Sequence, residues 1–316
     1  MRPASSHAER HVMRIFLTGA TGFIGGSLAV ALLESGHHVR GLTRSAEAGP
    51  ALRDLGVDPV LGTLDDASVL AAEAQAADAV INAADSDHEA SAAVLTEALA
   101  GSGKPLLHTS GSSIVGEPAD GQAQDDVYTE ADIVEGGSWE PSPDKTARVA
   151  LDRMVLSAAR SGVRSVVLCN SMIYGTGKGL NPDSVQVPRL VATARRSGVT
   201  RHIGPGENIW SNVHLDDMCD LYLRALEGAP PGSFYFVENG EADFRQITEA
   251  IATALRQPPP QPIDIDAAIA EWGYEPAVYA LGSNSRVRAI RPRTELDWKP
   301  QHTSITGWIS RSIRPT

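Results

Sequence analysis

The chain has 316 residues, with 27 Lys and Arg against 39 Asp and Glu and a formal net charge of −12. That length suits one large α/β domain or two smaller ones, and the acidic balance argues against a nucleic-acid surface. Its two cysteines, Cys169 and Cys219, lie in apolar stretches and read as buried thiols of a reducing, cytoplasmic compartment, not as a disulfide framework.

No apolar run approaches the length of a membrane span. Residues 1–12 are polar, without the apolar core of a secretory signal, and Met13 directly precedes the first apolar run. These residues are expected to be a tail outside the fold. From there strands and helices alternate. Strands are expected at residues 14–17, 38–43, 57–61, 79–83, 105–109 and 163–170. Helices are expected at 24–35, 52–55, 66–76, 89–101 and 147–162. Such alternation implies right-handed crossovers and a doubly wound parallel sheet with helices on both faces. Beyond about residue 175, Gly and Pro become frequent and helices such as 188–197 and 216–227 are interrupted by loops. This region reads as a smaller, substrate-facing lobe spanning 176–316. It sends a return segment (about 205–240) to the main sheet, near 232–237. Residues 13–175 would form the dinucleotide-binding domain.

The stretch Thr18-Gly19-Ala20-Thr21-Gly22-Phe23-Ile24-Gly25 links the first strand to the first helix. Gly19 would permit the sharp turn, Gly22 the close approach of a diphosphate and Gly25 tight helix–strand packing. The backbone N–H groups and helix N-terminus there suit an anion. With its Gly-x-x-Gly-x-x-Gly spacing, this stretch resembles the short-chain dehydrogenase/reductase superfamily, in its extended and atypical branches. Two further segments are similar to that family: Asn212-Val213-His214-Leu215-Asp216-Asp217, and Thr294-Glu295-Leu296-Asp297-Trp298-Lys299-Pro300. The resemblance implies a Rossmann-type sheet with a C-terminal substrate lobe, a nicotinamide cofactor, a small-molecule substrate, and a monomer or a homodimer formed through the helices after strands four and five. Cofactor contacts would fall on Gly19, Thr21, Gly22, Phe23, Ile24, Gly25, Leu64, Ala83, Ala84, Thr109 and Arg148.

The edge of the second strand bears on which cofactor. An NAD binder usually carries an acid there for the ribose 2′-OH. That place is held by Thr43, followed by Arg44 and Ser45. A guanidinium and a hydroxyl suit a 2′-phosphate, so NADP(H) is favoured over NAD(H). Arg40 is a second candidate. In Gly62-Thr63-Leu64 the threonine stands where the family has an aspartate, which leaves Leu64 as the expected adenine contact.

The family's reaction uses a Ser or Thr after strand five and a Tyr-x-x-x-Lys pair on the next helix. Here the first place reads Thr109-Ser110-Gly111-Ser112-Ser113. The hydroxyl position falls on Gly111, with Ser110 and Ser112 beside it, and Ser112 is the expected choice. With Asp152 matching the family's acid, Arg148 takes the lysine place and Asp144 the tyrosine place. If Lys145 is the lysine instead, Pro141 takes the tyrosine place. Neither register supplies a tyrosine, and Asp144 also reads as a helix N-cap. An arginine cannot donate a proton near neutral pH. Tyr174 is therefore carried as an alternative catalytic residue, with Tyr128 and His88 as weaker ones. His214 is expected to fix local structure, and no His, Asp or Glu cluster has metal-ligand spacing. The resulting expectation is an oxidoreductase acting on a small carbonyl, alcohol or imine. The alternatives are a non-redox epimerase, dehydratase or cyclase, or a protein that senses NADP(H).

Overall fold

The computed structural model describes residues 12–134, 136, 137 and 139–315. The expected tail, residues 1–12, lies outside the described residues except for Val12, which is exposed. The chain opens with β1 (Arg14–Thr18), α1 (Phe23–Glu34), β2 (His38–Thr43), α2 (Gly49–Asp54), β3 (Asp58–Leu61), α3 (Ala67–Ala76), β4 (Ala79–Asn82), α4 (Glu89–Leu99) and β5 (Pro105–Gly111). Two short strands, β6 (Glu117–Pro118) and β7 (Tyr128–Thr129), and α5 (Glu130–Ile133) precede the long α6 (Thr146–Ser157). Then come β8 (Arg164–Asn170), β9 (Met172–Tyr174), α7 (Gln186–Ser197), β10 (Arg201–Ile203), β11 (Ile209–His214), α8 (Leu215–Gly228) and β12 (Ser233–Val237). The chain closes with β13 (Glu241–Asp243), α9 (Phe244–Leu255), β14 (Gln261–Ile263), α10 (Ile265–Trp272), β15 (Ser283–Asn284), β16 (Val287–Arg288), α11 (Arg291–Glu295) and α12 (Ile305–Ser312).

Seven strands form one sheet in the order β12-β8-β5-β4-β1-β2-β3, and every pairing in it is parallel. The order reverses between β1 and β4, so the carboxyl ends of those strands open a crevice where ligands bind in folds of this kind. The central strands are covered on both faces, which is why they read as unbroken apolar runs. Ile15, Phe16 and Leu17 are all fully buried, as are Ala79, Val80 and Ile81. The return excursion is β12, which pairs with β8 at the sheet edge.

The C-terminal lobe has its own apolar cluster, built from α7, α9, α10 and α12 around Trp210, Phe244, Ile251 and Ile309. Small two- and three-stranded sheets join it to the main body: β11 pairs with β9 in parallel and with β13 antiparallel. Trp298 leaves this lobe for the main core. Its indole N–H donates to the Asp217 carbonyl at 3.0 Å, while the Asp217 carboxylate accepts from the backbone of Gln301 and His302 at 2.8 Å each.

Candidate active site

The turn after β1 is built so tightly that side chains cannot enter it. Gly19 has φ +75°, and a Cβ there would lie 2.6 Å from the Ala83 carbonyl oxygen. A Cβ on Gly25 would lie 2.2 Å from the Gly19 carbonyl oxygen, with backbone on both sides of the clash. The Thr18 hydroxyl draws β4 into this contact. It accepts from the backbone N–H of Ala83 and Ala84, at 3.0 and 3.2 Å, and donates to Asn82 Oδ1 at 2.7 Å. Helix α1 then begins without a side-chain cap or an acidic residue in its first turn. Its leading N–H groups are left for an anion, and no carboxylate competes for them.

At the carboxyl end of β2 the two candidate arginines part. Arg40 is bound by Glu73 through two hydrogen bonds of 2.6 and 2.7 Å, so it is not available to a ligand. Arg44 is exposed and has no side-chain partner among the described residues. The Ser45 hydroxyl accepts from Glu47 N–H at 3.2 Å, capping the short turn that follows. Thr63 is absorbed locally: its N–H and hydroxyl both donate to Asp66 Oδ2. Leu64 packs on the main core.

From the turn a cleft of about 1050 Å³ runs between the sheet edge and the C-terminal lobe. Phe23, Ile24, Ala83, Ala84, Thr109 and Arg148 line its inner part. Arg148 projects from the first turn of α6 and makes three bonds. Its Nε donates to Asp87 Oδ1 at 2.5 Å, its Nη2 to Asp87 Oδ2, and its Nη1 to Ser113 Oγ at 2.8 Å. The hydrogen bond to Asp87 raises the Arg148 pKa and in turn lowers that of Asp87, so both stay ionised. Asp144 also lines the cleft, but its carboxylate is engaged by the Ser142 hydroxyl (2.6 Å) and the Lys145 ammonium (3.0 Å), which hold its pKa below the ordinary carboxylate range. It is not the N-cap of α6, a place held by Lys145.

The hydroxyls at the end of β5 and just beyond it point three ways. Ser110 donates to Asp152 Oδ2 at 2.7 Å. Ser112, the expected hydroxyl, borders the cleft but is buried and shares a 2.8 Å bond with the Ser285 hydroxyl. Ser113 is the one that meets Arg148. Ser110 lies within β5, and Ser112 and Ser113 diverge because the 3₁₀ turn Ser112–Val115 rotates successive side chains by about a third of a turn. Beneath them lies a buried polar chain. Asn82 Nδ2 faces His108 Nδ1 at 3.1 Å, which makes Nδ1 the acceptor and puts the neutral ring's proton on Nε2. That Nε2 stands 3.7 Å from Asp152 Oδ1, too far for a hydrogen bond. Burial lowers the His108 pKa to about 4 and raises that of Asp152 to about 7.

The structure does not bring Tyr174 to the cleft. Its ring is buried between His214 and Trp308, its hydroxyl has no partner among the described residues, and burial pushes its pKa up to about 12. Tyr128 packs edge-on against Trp139, and His88 caps α4 while facing Asp65 at 3.2 Å. His214 caps α8. The fold does gather His214, Asp216 and His302, with ligand atoms within 4.8 Å of one another, a grouping that sequence spacing cannot reveal. The Lys178 ammonium already lies 2.8 Å from the Asp216 carboxylate.

The model of the NAD dependent epimerase/dehydratase family matches residues 15–236. The chain belongs to this family. Over 93% of its length it is 31% identical to an uncharacterised protein of Schizosaccharomyces pombe, covering 97% of that protein. It is 32% identical to the oxidase ucsJ of an Acremonium species, with 91% of this chain and 92% of that one aligned. More distant relatives are named as reductases, among them the 2-alkyl-3-oxoalkanoate reductase of Stenotrophomonas maltophilia, 28% identical over 78% of this chain and 77% of that one. The dTDP-glucose 4,6-dehydratase of Bacillus anthracis, solved with NAD, has the same fold: TM-score 0.74 at 19% identity, with 96% of each chain covered.

Within this epimerase/dehydratase chain, sequence reading passed over the residues that complete the cleft. Asp87 lies in a polar loop after β4, and Ser113 is one of three serines in a five-residue motif. Arg189, Trp210, Tyr274 and Tyr279 come from the C-terminal lobe to the outer cleft. Only Asp87 carried a signal, as a carboxylate just beyond the carboxyl end of a central strand. No helix among the described residues is long and apolar enough to cross a membrane.

Proposed function

We propose that the cleft binds NADP(H) and that the chain is an oxidoreductase acting on a small organic carbonyl, alcohol or imine. The observation that carries this reading is the Asp87–Arg148–Ser113 cluster, set at the cleft wall between the glycine turn and the C-terminal lobe. When bound, the nicotinamide supplies hydride transfer, which needs orientation more than a protein acid. The glycine turn and the uncapped start of α1 would hold the diphosphate. Arg44, without a side-chain partner among the described residues, supports a 2′-phosphate, hence NADP(H) over NAD(H).

On the reaction side, Ser113 Oγ accepts from Arg148, so its own O–H is left to donate. It can hold a substrate oxygen and stabilise the negative charge that develops there. Arg148 orients that hydroxyl and stays charged throughout, and Asp87 fixes the guanidinium. The reductase names of the distant relatives support redox chemistry over a purely epimerising role.

The test is a fluorescence titration with NADPH and NADH, followed by a screen of carbonyls and imines for loss of reduced-nicotinamide absorbance. Tight, NADPH-selective binding with turnover of a carbonyl or imine is the expected result. Tight binding with no turnover of any compound would point to the non-redox enzyme or to a sensor.

A further inference from the structure

The outer cleft differs chemically from the inner. Trp210, Tyr274 and Tyr279 bring rings to it, beside Gln186, Arg189 and Glu275. Trp210 is almost fully buried and uses its indole N–H on the Ser283 carbonyl at 2.9 Å, so it has only ring carbon to offer a ligand. Tyr274 and Tyr279 meet edge to face with centroids 5.9 Å apart, and Lys145 Nζ lies 4.1 Å from the Tyr279 ring centre. Arg189, on the first turn and a half of α7, shares this lining.

Arg189 stands apart among the cations of the cleft. The other two cations of the cleft have carboxylates: Lys145 has Asp144 and Arg148 has Asp87. Arg189 is half-buried, yet it makes no side-chain hydrogen bond or ion pair among the described residues. A half-buried guanidinium with no side-chain partner keeps its donors for an anion. Its planar fork matches a carboxylate with two parallel hydrogen bonds, and the flat rings match a flat ligand.

We infer that Arg189 is the carboxylate-binding residue of this cleft, and that the substrate is a small aromatic or conjugated carboxylate lying against Trp210, Tyr274 and Tyr279. The inference rests on the reading of the cleft as an oxidoreductase's substrate pocket, and it narrows that pocket's class of ligand. Arg148 would then face the reacting end of the molecule and Arg189 its acid end.

The probes are trans-cinnamate and its neutral methyl ester, titrated by calorimetry into the full chain, with and without saturating NADPH. Cinnamate should bind about tenfold or more tightly than the ester. Arg189→Gln should abolish that preference while leaving the ester unchanged, and Arg189→Lys should retain part of it. Tyr279→Leu should weaken both ligands alike. Thermal melts establish that each variant is folded, and Arg189 is not a core residue. Equal binding of acid and ester, binding of neither, or an Arg189→Gln variant that still prefers the acid would overturn the assignment. If NADPH itself gives no heat, the cofactor reading fails, and the titration without NADPH still decides the role of Arg189.

Discussion

The two ends of the cleft are made in different ways. The end at the glycine turn is made of backbone, from residues that are neighbours in sequence: Gly19 to Gly25, with β4 drawn in by the Thr18 hydroxyl. The far end is made of side chains delivered by separate segments: Asp87, Ser113, Arg148, Arg189 and the rings of the C-terminal lobe. A backbone site tolerates no added atom and permits little variation. A side-chain site can be refitted one residue at a time without disturbing the sheet beneath it. One scaffold can therefore keep its cofactor and change its substrate.

Four substitutions sharpen this contrast, and the largest effect belongs to the backbone end. Gly25→Ala places a methyl 2.2 Å from the Gly19 carbonyl oxygen, so the turn must be rebuilt. We expect NADPH binding to fall below detection and stability to drop by roughly 3 kcal/mol, read by fluorescence titration and a denaturant curve. A normal affinity would show that the turn is not the grip. At the side-chain end, Arg148→Ala frees Ser113 and Asp87 while the turn stays intact. Turnover should fall by roughly a hundredfold from lost orientation, with NADPH affinity changed far less. Equal losses in both would erase the distinction between the two ends.

Arg44→Ala tests the edge of the cofactor site. It should weaken NADPH by roughly 1.5–3 kcal/mol and leave NADH unchanged, which calorimetry with both nucleotides measures. The smallest effect concerns the buried pair under β5. Asp152 is raised to about 7, so its native carboxyl keeps a proton that the unfolded chain releases. Its stabilising effect is full below about pH 4 and lost as pH rises to 7. His108 is lowered to about 4, so its contribution is full above about 6.5 and lost as pH falls toward 4. The two slopes oppose each other in the same window. Asp152→Asn should therefore give a stability that climbs more steeply than wild type between about pH 4 and 6.5, seen in melts across that range. An unchanged slope would mean that Asp152 is not the group holding that proton.

The same contrast explains how much the sequence disclosed. The seven-stranded sheet was legible because its central strands are apolar runs buried on both faces and its first turn is coded by local glycines. In the C-terminal lobe, strands of two or three residues are too short to show a period, and helix α9 went unassigned. Its start was marked, since Asp243 caps it and Gln246 stands three residues on. At the site, the place of Arg148 at the cleft was legible from its position on the helix after β5, and Asp144 lies just ahead of that helix. The serine register was not, because Ser110 lies in β5 while a 3₁₀ turn parts Ser112 from Ser113 in direction. The pairing of Arg148 with Asp87, 61 residues away, cannot be read from either segment, although Asp87 alone is marked by its place beyond β4.

The most direct measurement is a crystal structure of the chain grown with NADPH. The account predicts the diphosphate against the amides that open α1 at Phe23 and Ile24, the 2′-phosphate at Arg44, and the nicotinamide facing Ser113. A nucleotide bound elsewhere, or a glycine turn left empty under saturating NADPH, would contradict it.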